Sequence, residues 1–408
     1  MNIRVKAVTT EKDNVNLENI LTFAGKQAGI CYMPDTYEVL DRNIEGALKR
    51  ISGCMSSGHH SVIEHCYVTV LFENVSKLFA MLLNSLQVYN TSEKSGRYTI
   101  MQSAEEGLYG KWLNIFVDLY EKDLRNRGVS ADKCVKLGKK MAQDSARGVI
   151  SVLAHNTTFG YTTSVRMWNY IRGKAVRFIA EVSDNVISSL SSNSVVALKA
   201  ELQELVTFID NTMKVEKLDT EGSFDFITNF STDSQCYSEL GENYRNWGIQ
   251  YLATYRVSFI TLAQLERHRT LKFHMTIPTQ TITYSVPNII QGTEYEEVWL
   301  KDLAAVELPQ AMQVVVMEQG NVDAFVMKCR ERICGAAHEE TRAHTVGMLK
   351  EYYKYSCESG VEQRIVKNKL ASCMEYDSKR CVVRQKVKCK KGYKCTNPCI
   401  YKTDVENL

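Results

Sequence analysis

Proline is scarce in this 408-residue chain, at five positions, and no Ser-, Gly- or Gln-rich tract stands out. Long extended or flexible linkers are thereby excluded. No apolar run approaches the ~20 residues that a bilayer-spanning helix needs; Leu78 to Leu83 is typical of the longest. Met1 to Asp13 has no apolar stretch of the kind that drives secretion, so cytoplasm is the expected location. Charge of one sign is also lacking: the formal net charge is only +3, which demands neither a nucleic acid nor an acidic partner. Cysteine is plentiful, at thirteen, but without an export signal these read as reduced thiols rather than disulfides. The close set Cys381, Cys389, Cys395 and Cys399 contains no C-x-x-C pair. His59-His60 with Glu64-His65 departs from H-E-x-x-H, so no metal site is expected.

What is present is an ordinary globular composition, 44% hydrophobic and 24% charged, long enough for two or three domains. Helical periodicity dominates. Tyr251 to Arg269 sets Leu252, Tyr255, Phe259, Leu262 and Leu265 at three- and four-residue steps, predicting an amphipathic or buried helix; Lys111 to Arg125 is similar. Tyr67 to Phe72 and Gln313 to Met317 read as strands. The fold class is therefore α/β or α+β, rich in helix.

The chain also resembles itself. Val75-Ser76-Lys77-Leu78-Phe79-Ala80-Met81-Leu82-Leu83 lies against Val257-Ser258-Phe259-Ile260-Thr261-Leu262-Ala263-Gln264-Leu265, and the match runs on without a gap. Each stretch is followed, after a long helical insert, by a segment ending in an acidic helix face: Arg147 to Glu181 in the first half, Leu308 to Glu340 in the second. Two copies of one fold is the economical account. The boundary falls between about Leu190 and Asn246, with Asp219 to Asn246 as the connection, and divides the chain into 1–215, 216–370 and a basic, cysteine-rich tail, 371–408.

Ser57-Gly58-His59-His60-Ser61-Val62-Ile63-Glu64-His65, followed by the strand at Tyr67, resembles the opening of the flavin-dependent thymidylate synthases. That family carries a signature of the form R-H-R-x-x-S-x-N-x-x-S-x-R. The first half keeps its close, Ser95-Gly96-Arg97-Tyr98, and has lost the R-H-R. The second keeps Arg267-His268-Arg269 and has lost the close. The resemblance covers roughly Asp41 to Thr341. It implies a fold of two tandem domains, each a small, mostly antiparallel sheet with long helices, forming a pseudo-dimer. In the family the sites lie between chains of a homotetramer, the R-H-R coming from one subunit and the S-x-R from another. A fused pair then needs one good copy of each half.

Carried over residue by residue, the resemblance implies nucleotide contacts at Gln264, Ser95, Gly96, Arg97 and Arg147. Arg332, ahead of Glu340, faces the uracil ring and holds most catalytic interest. Flavin contacts are implied at His59, Ser61, Glu93, Asn169, Arg267, His268, Arg269 and Asn321. Departures fall on the flavin side, where Asp323 stands for the family's arginine and Met327 replaces the second asparagine; in the second half the nucleotide arginine equivalent to Arg147 is lost to Ala305.

The residue types suit that chemistry. Guanidinium forks bind a dianionic phosphate bidentately. A cation at the uracil carbonyls stabilises charge developing on the ring, which is the role for Arg332. The resemblance implies FAD, with methylenetetrahydrofolate and NADPH as co-substrates, dUMP as nucleotide, and a homodimer of fused pseudo-dimers. It implies no membrane or nucleic-acid partner and no catalytic thiol. Lys272 and His274, in place of the family's Ser and Asn, leave open hydroxymethylation or another C5 modification of a pyrimidine nucleotide. A decayed, non-catalytic nucleotide-binding or scaffold protein is the alternative of another class.

Overall fold

The protein is described from a computed structural model, which describes residues 1–8, 15–86, 88–96, 99, 106–181, 191–216, 218, 236–237, 241–243, 248–278, 281–332 and 337–358. Arg97, Tyr98, most of the connection 219–246 and the tail 371–408 lie outside these residues. In chain order the elements are β1 (Asn2–Val8), α1 (Leu17–Tyr32), α2 (Tyr37–Arg42), α3 (Ile44–Ser56), β2 (Tyr67–Val75), α4 (Lys77–Asn84), β3 (Asn90–Glu93), α5 (Glu106–Asn126) and α6 (Ala131–Ala146). Then follow β4 (Thr157–Ser164), α7 (Val165–Glu181), α8 (Ser192–Thr212), β5 (Cys236–Tyr237), β6 (Gly241–Asn243), β7 (Gly248–Ser258) and α9 (Phe259–Leu265). The last are β8 (Lys272–Thr276), α10 (Glu294–Ala304), β9 (Gln313–Asn321), α11 (Val322–Arg332) and α12 (Glu339–Glu358). The expected helix-rich α/β class is what these elements make. Among the described residues no helix is long and apolar enough to cross a membrane.

Two compact units result, Met1–Lys94 with Leu153–Phe226, and Ser95–Val152 with Ile227–Leu408. They do not follow the sequence division: residues 95–152, from the first half, belong with the second.

The first unit holds an antiparallel sheet in the order β1-β2-β4-β3. Alternate residues of β2 point inward, so Val68, Val70 and Phe72 are fully buried. Phe72 stacks on Phe159 of β4 at 4.8 Å and meets Phe79 of α4 edge-on at 5.6 Å. A bulge between Glu73 and Val75 puts Asn74 at φ 56° and turns the chain into α4. Helices α1 and α3 lie so close that a Cβ on Gly25 would sit 2.1 Å from the Ala47 carbonyl oxygen, which is why glycine stands there.

The second unit holds an antiparallel sheet in the order β5-β7-β9-β8, with β6 on β7. The helix predicted over Tyr251 to Arg269 is corrected here: residues up to Ser258 are strand and only Phe259–Leu265 is helix. Tyr251, Ala253, Tyr255 and Val257 are buried while the residues between them are partly exposed. That period of two belongs to a strand, and the aromatic and β-branched residues favour it. The apolar stripe of α5 (Tyr109, Trp112, Phe116, Tyr120, Leu124) is buried as its spacing predicts. Trp112 meets Trp299 of α10 edge-on at 4.7 Å, and its indole N–H donates to Asp302 (2.8 Å).

One corner recurs in both units. Ser76 caps α4, accepting from the Phe79 N–H, while its own N–H and hydroxyl donate to the Glu201 carboxylate at 2.8 and 2.6 Å. Ser258 caps α9, accepting from the Thr261 N–H, and donates from N–H (2.8 Å) and hydroxyl to Glu340. The acidic residue matching Glu340 is thus Glu201 on α8, not Glu181. Each latch combines a helix cap with charge-assisted bonds. Ser76→Ala and Ser258→Ala are expected to cost about 2 kcal/mol each in urea unfolding; unchanged midpoints in both would show that the latches carry no stability.

Candidate functional site

Arg147 begins the short turn after α6, in the second unit. Its guanidinium pairs with Asp144 at 2.8 Å, and its Nε donates to the Asp144 carbonyl (3.2 Å); both side chains are nearly buried. The backbone beyond it is held by a ladder to residues 308–311. Ala311 N–H donates to Gly148 C=O (2.9 Å), Gln310 N–H to Ile150 C=O (2.8 Å), and Val152 N–H to Leu308 C=O (2.9 Å). Ser151 faces Pro309, and its hydroxyl donates to Glu307 C=O (2.6 Å). Leu308 sits at φ 48°, a left-handed conformation that costs a leucine about 1–2 kcal/mol. Tyr109 of α5 lies near Arg147; burial pushes its phenol up, and the guanidinium opposes the shift.

The same unit carries the second-half residues. Gln264, near the end of α9, accepts from the His338 N–H at 3.3 Å. Arg267, His268 and Arg269 follow in a turn, with both arginines exposed. Asn321 caps α11 through its Oδ1, which accepts from Ala324 N–H (2.8 Å), and Arg332 ends that helix. Ser95 and Gly96 are also in this unit, where the Ser95 carbonyl closes a turn onto Thr99 (3.1 Å). One unit therefore contains the described nucleotide residues from both halves: Ser95, Gly96 and Arg147 with Gln264 and Arg332.

Four of the residues expected to contact flavin stand in the first unit. His59 and Ser61 are exposed on the tight turn before β2, and His59 meets Tyr32 edge-on at 6.0 Å. Glu93 ends β3, its side chain 6% exposed, and pairs with Lys77. Asn169 is in the core. Its Nδ2 donates to Val165 C=O (2.8 Å) and Met213 C=O (2.9 Å), and its Oδ1 accepts from Val215 N–H (2.9 Å). That amide clamps α7 to the end of α8, so both its donors are used by the backbone.

The polar inventory fits a flavin dinucleotide in part. Exposed Arg267 and Arg269 suit a pyrophosphate, and His59, Ser61 and Glu93 offer donors and an acceptor; Asn169 does not fit. Among the described residues no group of three or more His, Cys, Asp or Glu gathers for a metal. Burial pushes the Cys66 thiol up to about 12, so it stays protonated and poorly nucleophilic.

Several residues escaped the sequence reading because their partners are distant in the chain. Lys77 is one. Another is a buried quartet in the second unit. Lys328 and Glu318, both fully buried, form an ion pair, and the Tyr251 and Tyr255 hydroxyls donate to the same carboxylate. Burial, then the Glu318 charge, pushes the Tyr251 phenol well above its ordinary value. His344 lies on the Tyr255 ring at 4.1 Å; burial and Lys328 push it down to about 3, so it is neutral. Tyrosines four apart on a predicted helix gave no sign that they meet a carboxylate across a sheet.

Residues 17–175 match the family model described as thymidylate synthase complementing protein, Thy1. No curated protein matches the chain. Among solved structures, a flavin-dependent thymidylate synthase ThyX from Helicobacter pylori, complexed with FAD and dUMP, is 16% identical. It covers 54% of this chain and 97% of its own, with a TM-score of 0.28. A UMP/dUMP methylase PolB from Streptomyces cacaoi, bound with 5-Br UMP, is 13% identical over 51% of this chain and 89% of its own, with a TM-score of 0.26. Scores this low leave the family resemblance resting on the sequence match.

Glu339, beside Glu340, accepts from the Asn288 N–H (2.8 Å). Burial pushes it up to about 7; the Asn288 bond and Arg342 pull it down, and Asp144 and Glu340 push it further up. A raised carboxyl contributes stability fully below its unfolded value and loses that contribution as pH rises through 7. Glu339→Gln is expected to match the parent near pH 5 and to exceed it by roughly 1–2 kcal/mol at pH 8 in urea unfolding. Equal stabilities at both pH values would refute the assignment.

Proposed function

We propose, for a chain whose residues 17–175 match the thymidylate synthase complementing protein family, a flavin-dependent enzyme that methylates dUMP at C5. Methylenetetrahydrofolate would be the one-carbon donor and NADPH the reductant. The observation that carries the reading is the ladder between residues 148–152 and 308–311, which holds Arg147 of the first half in one compact unit with Gln264 and Arg332 of the second. One composite nucleotide site then needs no third segment.

The repeat supports this. In the first sheet Phe72 of β2 faces Phe159 of β4, and Phe159 faces Glu93 of β3. In the second, Tyr255 of β7 faces Val316 of β9, and Val316 faces Met275 of β8. Both sheets have the same three-strand order, and both have the Ser–Glu latch. In the sequence match Arg147 lies against Ala305, so Ser151 lies against Pro309, the pair that face each other in the ladder. The bonds on either side are each other's counterparts: Gln310 to Ile150, and Val152 to Leu308. Equivalent segments pairing antiparallel is the signature of a twofold, isologous contact. The fused chain would be a pseudo-dimer, and two chains would supply four copies of the fold.

Arg147, with Ser95 and Arg97, would clamp the nucleotide phosphate by charge-assisted bonds. Gln264 would hold the base, and Arg332 would stabilise charge on the uracil carbonyls as C5 reacts. Arg267, His268 and Arg269 of the second unit carry groups suited to FAD, His59, Ser61 and Glu93 of the first carry others, and Asn321 would fix the start of α11. The flavin, when bound, supplies the hydride and relays the one-carbon unit.

The test is the absorbance spectrum of the purified protein with FAD added and dUMP titrated in. A flavin spectrum that shifts with dUMP is expected. Losing a charge-assisted phosphate contact costs about 1.5–3 kcal/mol, so Arg97→Ala and Arg147→Ala should weaken dUMP binding about 10- to 100-fold. Turnover should be abolished in Arg97→Ala and in Arg267→Ala, which lie in different halves. Full activity in either sinks the composite site, and a colourless protein that binds neither ligand sinks the enzyme reading.

A further inference from the structure

The Lys77–Glu93 pair is not required by the fold. Its members are 14% and 6% exposed, so both charges are largely removed from water. Such pairs are weak contributors to stability, because desolvation offsets the attraction, and apolar residues of similar size often serve as well. This molecule contains that replacement. Lys77 is the first residue of α4, and Phe259 is the first residue of α9. Glu93 faces Phe159, and its counterpart Met275 faces Val316. The second unit thus builds the same strand–helix corner, with the same serine latch, around a buried Phe259 and a buried Met275, both apolar. The half of the chain that keeps the acidic residue keeps its lysine, and the half that has lost one has lost both.

We propose that Lys77 is a positioning residue of the cofactor site, holding the Glu93 carboxylate charged and fixed to accept a bond from a ribityl hydroxyl or imide N–H of the flavin. The inference rests on the flavin reading above. The surroundings leave that task to Lys77. Opposite β3, β4 presents Phe159, Gly160, Tyr161 and Thr162, and burial pushes the Tyr161 phenol well above its ordinary value. On α8, Glu201 is pushed up by burial and engaged by Ser76, with His155 at 3.7 Å. Next along β3, Lys94 is exposed.

Titration of FAD into the parent, Lys77→Met, Lys77→Arg and the Lys77→Met/Glu93→Gln double variant, followed by flavin fluorescence at pH 6 and pH 8.5, tests this. An isolated buried carboxylate takes up a proton more readily than one held by an ammonium. Lys77→Met is therefore expected to weaken FAD binding about tenfold at pH 6, with the deficit narrowing at pH 8.5. Lys77→Arg should restore binding to within about threefold, and dUMP affinity should not move. The double variant, a neutral pair, should fold with a melting temperature near the parent's and bind FAD weakly at both pH values. A Lys77→Met protein that binds FAD like the parent, or whose deficit is the same at both pH values and not rescued by arginine, overturns the proposal while the flavin reading stands. A parent that takes up no flavin overturns both.

Discussion

The short ladder between residues 148–152 and 308–311 is the constraint on which the candidate nucleotide site depends. It is made of backbone bonds, so substitutions at its side chains leave its pattern in place. It tolerates a leucine at positive φ to keep its register. By fixing Gly148 to Ala311 it sets where Arg147 begins, and Asp144 then aims the guanidinium from one turn back along α6. A Cβ on Gly148 would lie 2.9 Å from the Trp299 ring, so the strand also sits flush against α10. A cation supplied by the first half is in this way built into the second.

What the two sheets share and what they do not share separate structure from chemistry. The shared features are the strand order and the serine–carboxylate latch that closes each strand–helix corner. These satisfy orphan helix donors and anchor a later helix, a need any copy of the fold has. The unshared features are charged groups: Arg147 against Ala305, Lys77 against Phe259, Glu93 against Met275. A fold requirement would have kept them in both places. Their one-sided retention is what the proposed single site, drawn from two copies, would leave behind.

The sequence made local features legible and distant ones obscure. The strands at Tyr67 and Gln313 and the long helix over Lys111–Arg125 follow from runs and periodicity within a few residues. The serine latch is half visible, since Ser76 and Ser258 align and the first-half segment from Arg147 ends on an acidic helix face at Glu181. The structure uses Glu201, a whole helix later. Tyr251 to Arg269 was read as one helix because leucine and tyrosine at mixed three- and four-residue steps also satisfy a period of two as far as Ser258. The asparagine at 169 carried a family role in the sequence, whereas its surroundings show an amide spent on three backbone groups.

The buried quartet in the second sheet shows how a charged core can serve a neighbouring position. In the first sheet the strand place of Glu318 is held by Tyr161, since Tyr161 faces Val70 and Thr91 as Glu318 faces Ala253 and Phe273. An ion pair at full burial gains little over an apolar core, but it is directional, and a lysine that must meet one carboxylate cannot let its helix rotate. Phe325, Lys328 and Arg332 follow one another at steps of three and four along α11, so they lie on one face. Phe325 is packed under Tyr251 at 5.2 Å, and the Lys328 ammonium lies 5.0 Å from the Phe325 ring. With two members of the stripe pinned to β7 and β9, the third is not free to choose its direction. Arg332 is the residue on which the uracil chemistry would fall, and it lies one turn beyond a lysine held by a carboxylate, a sulfur and a ring.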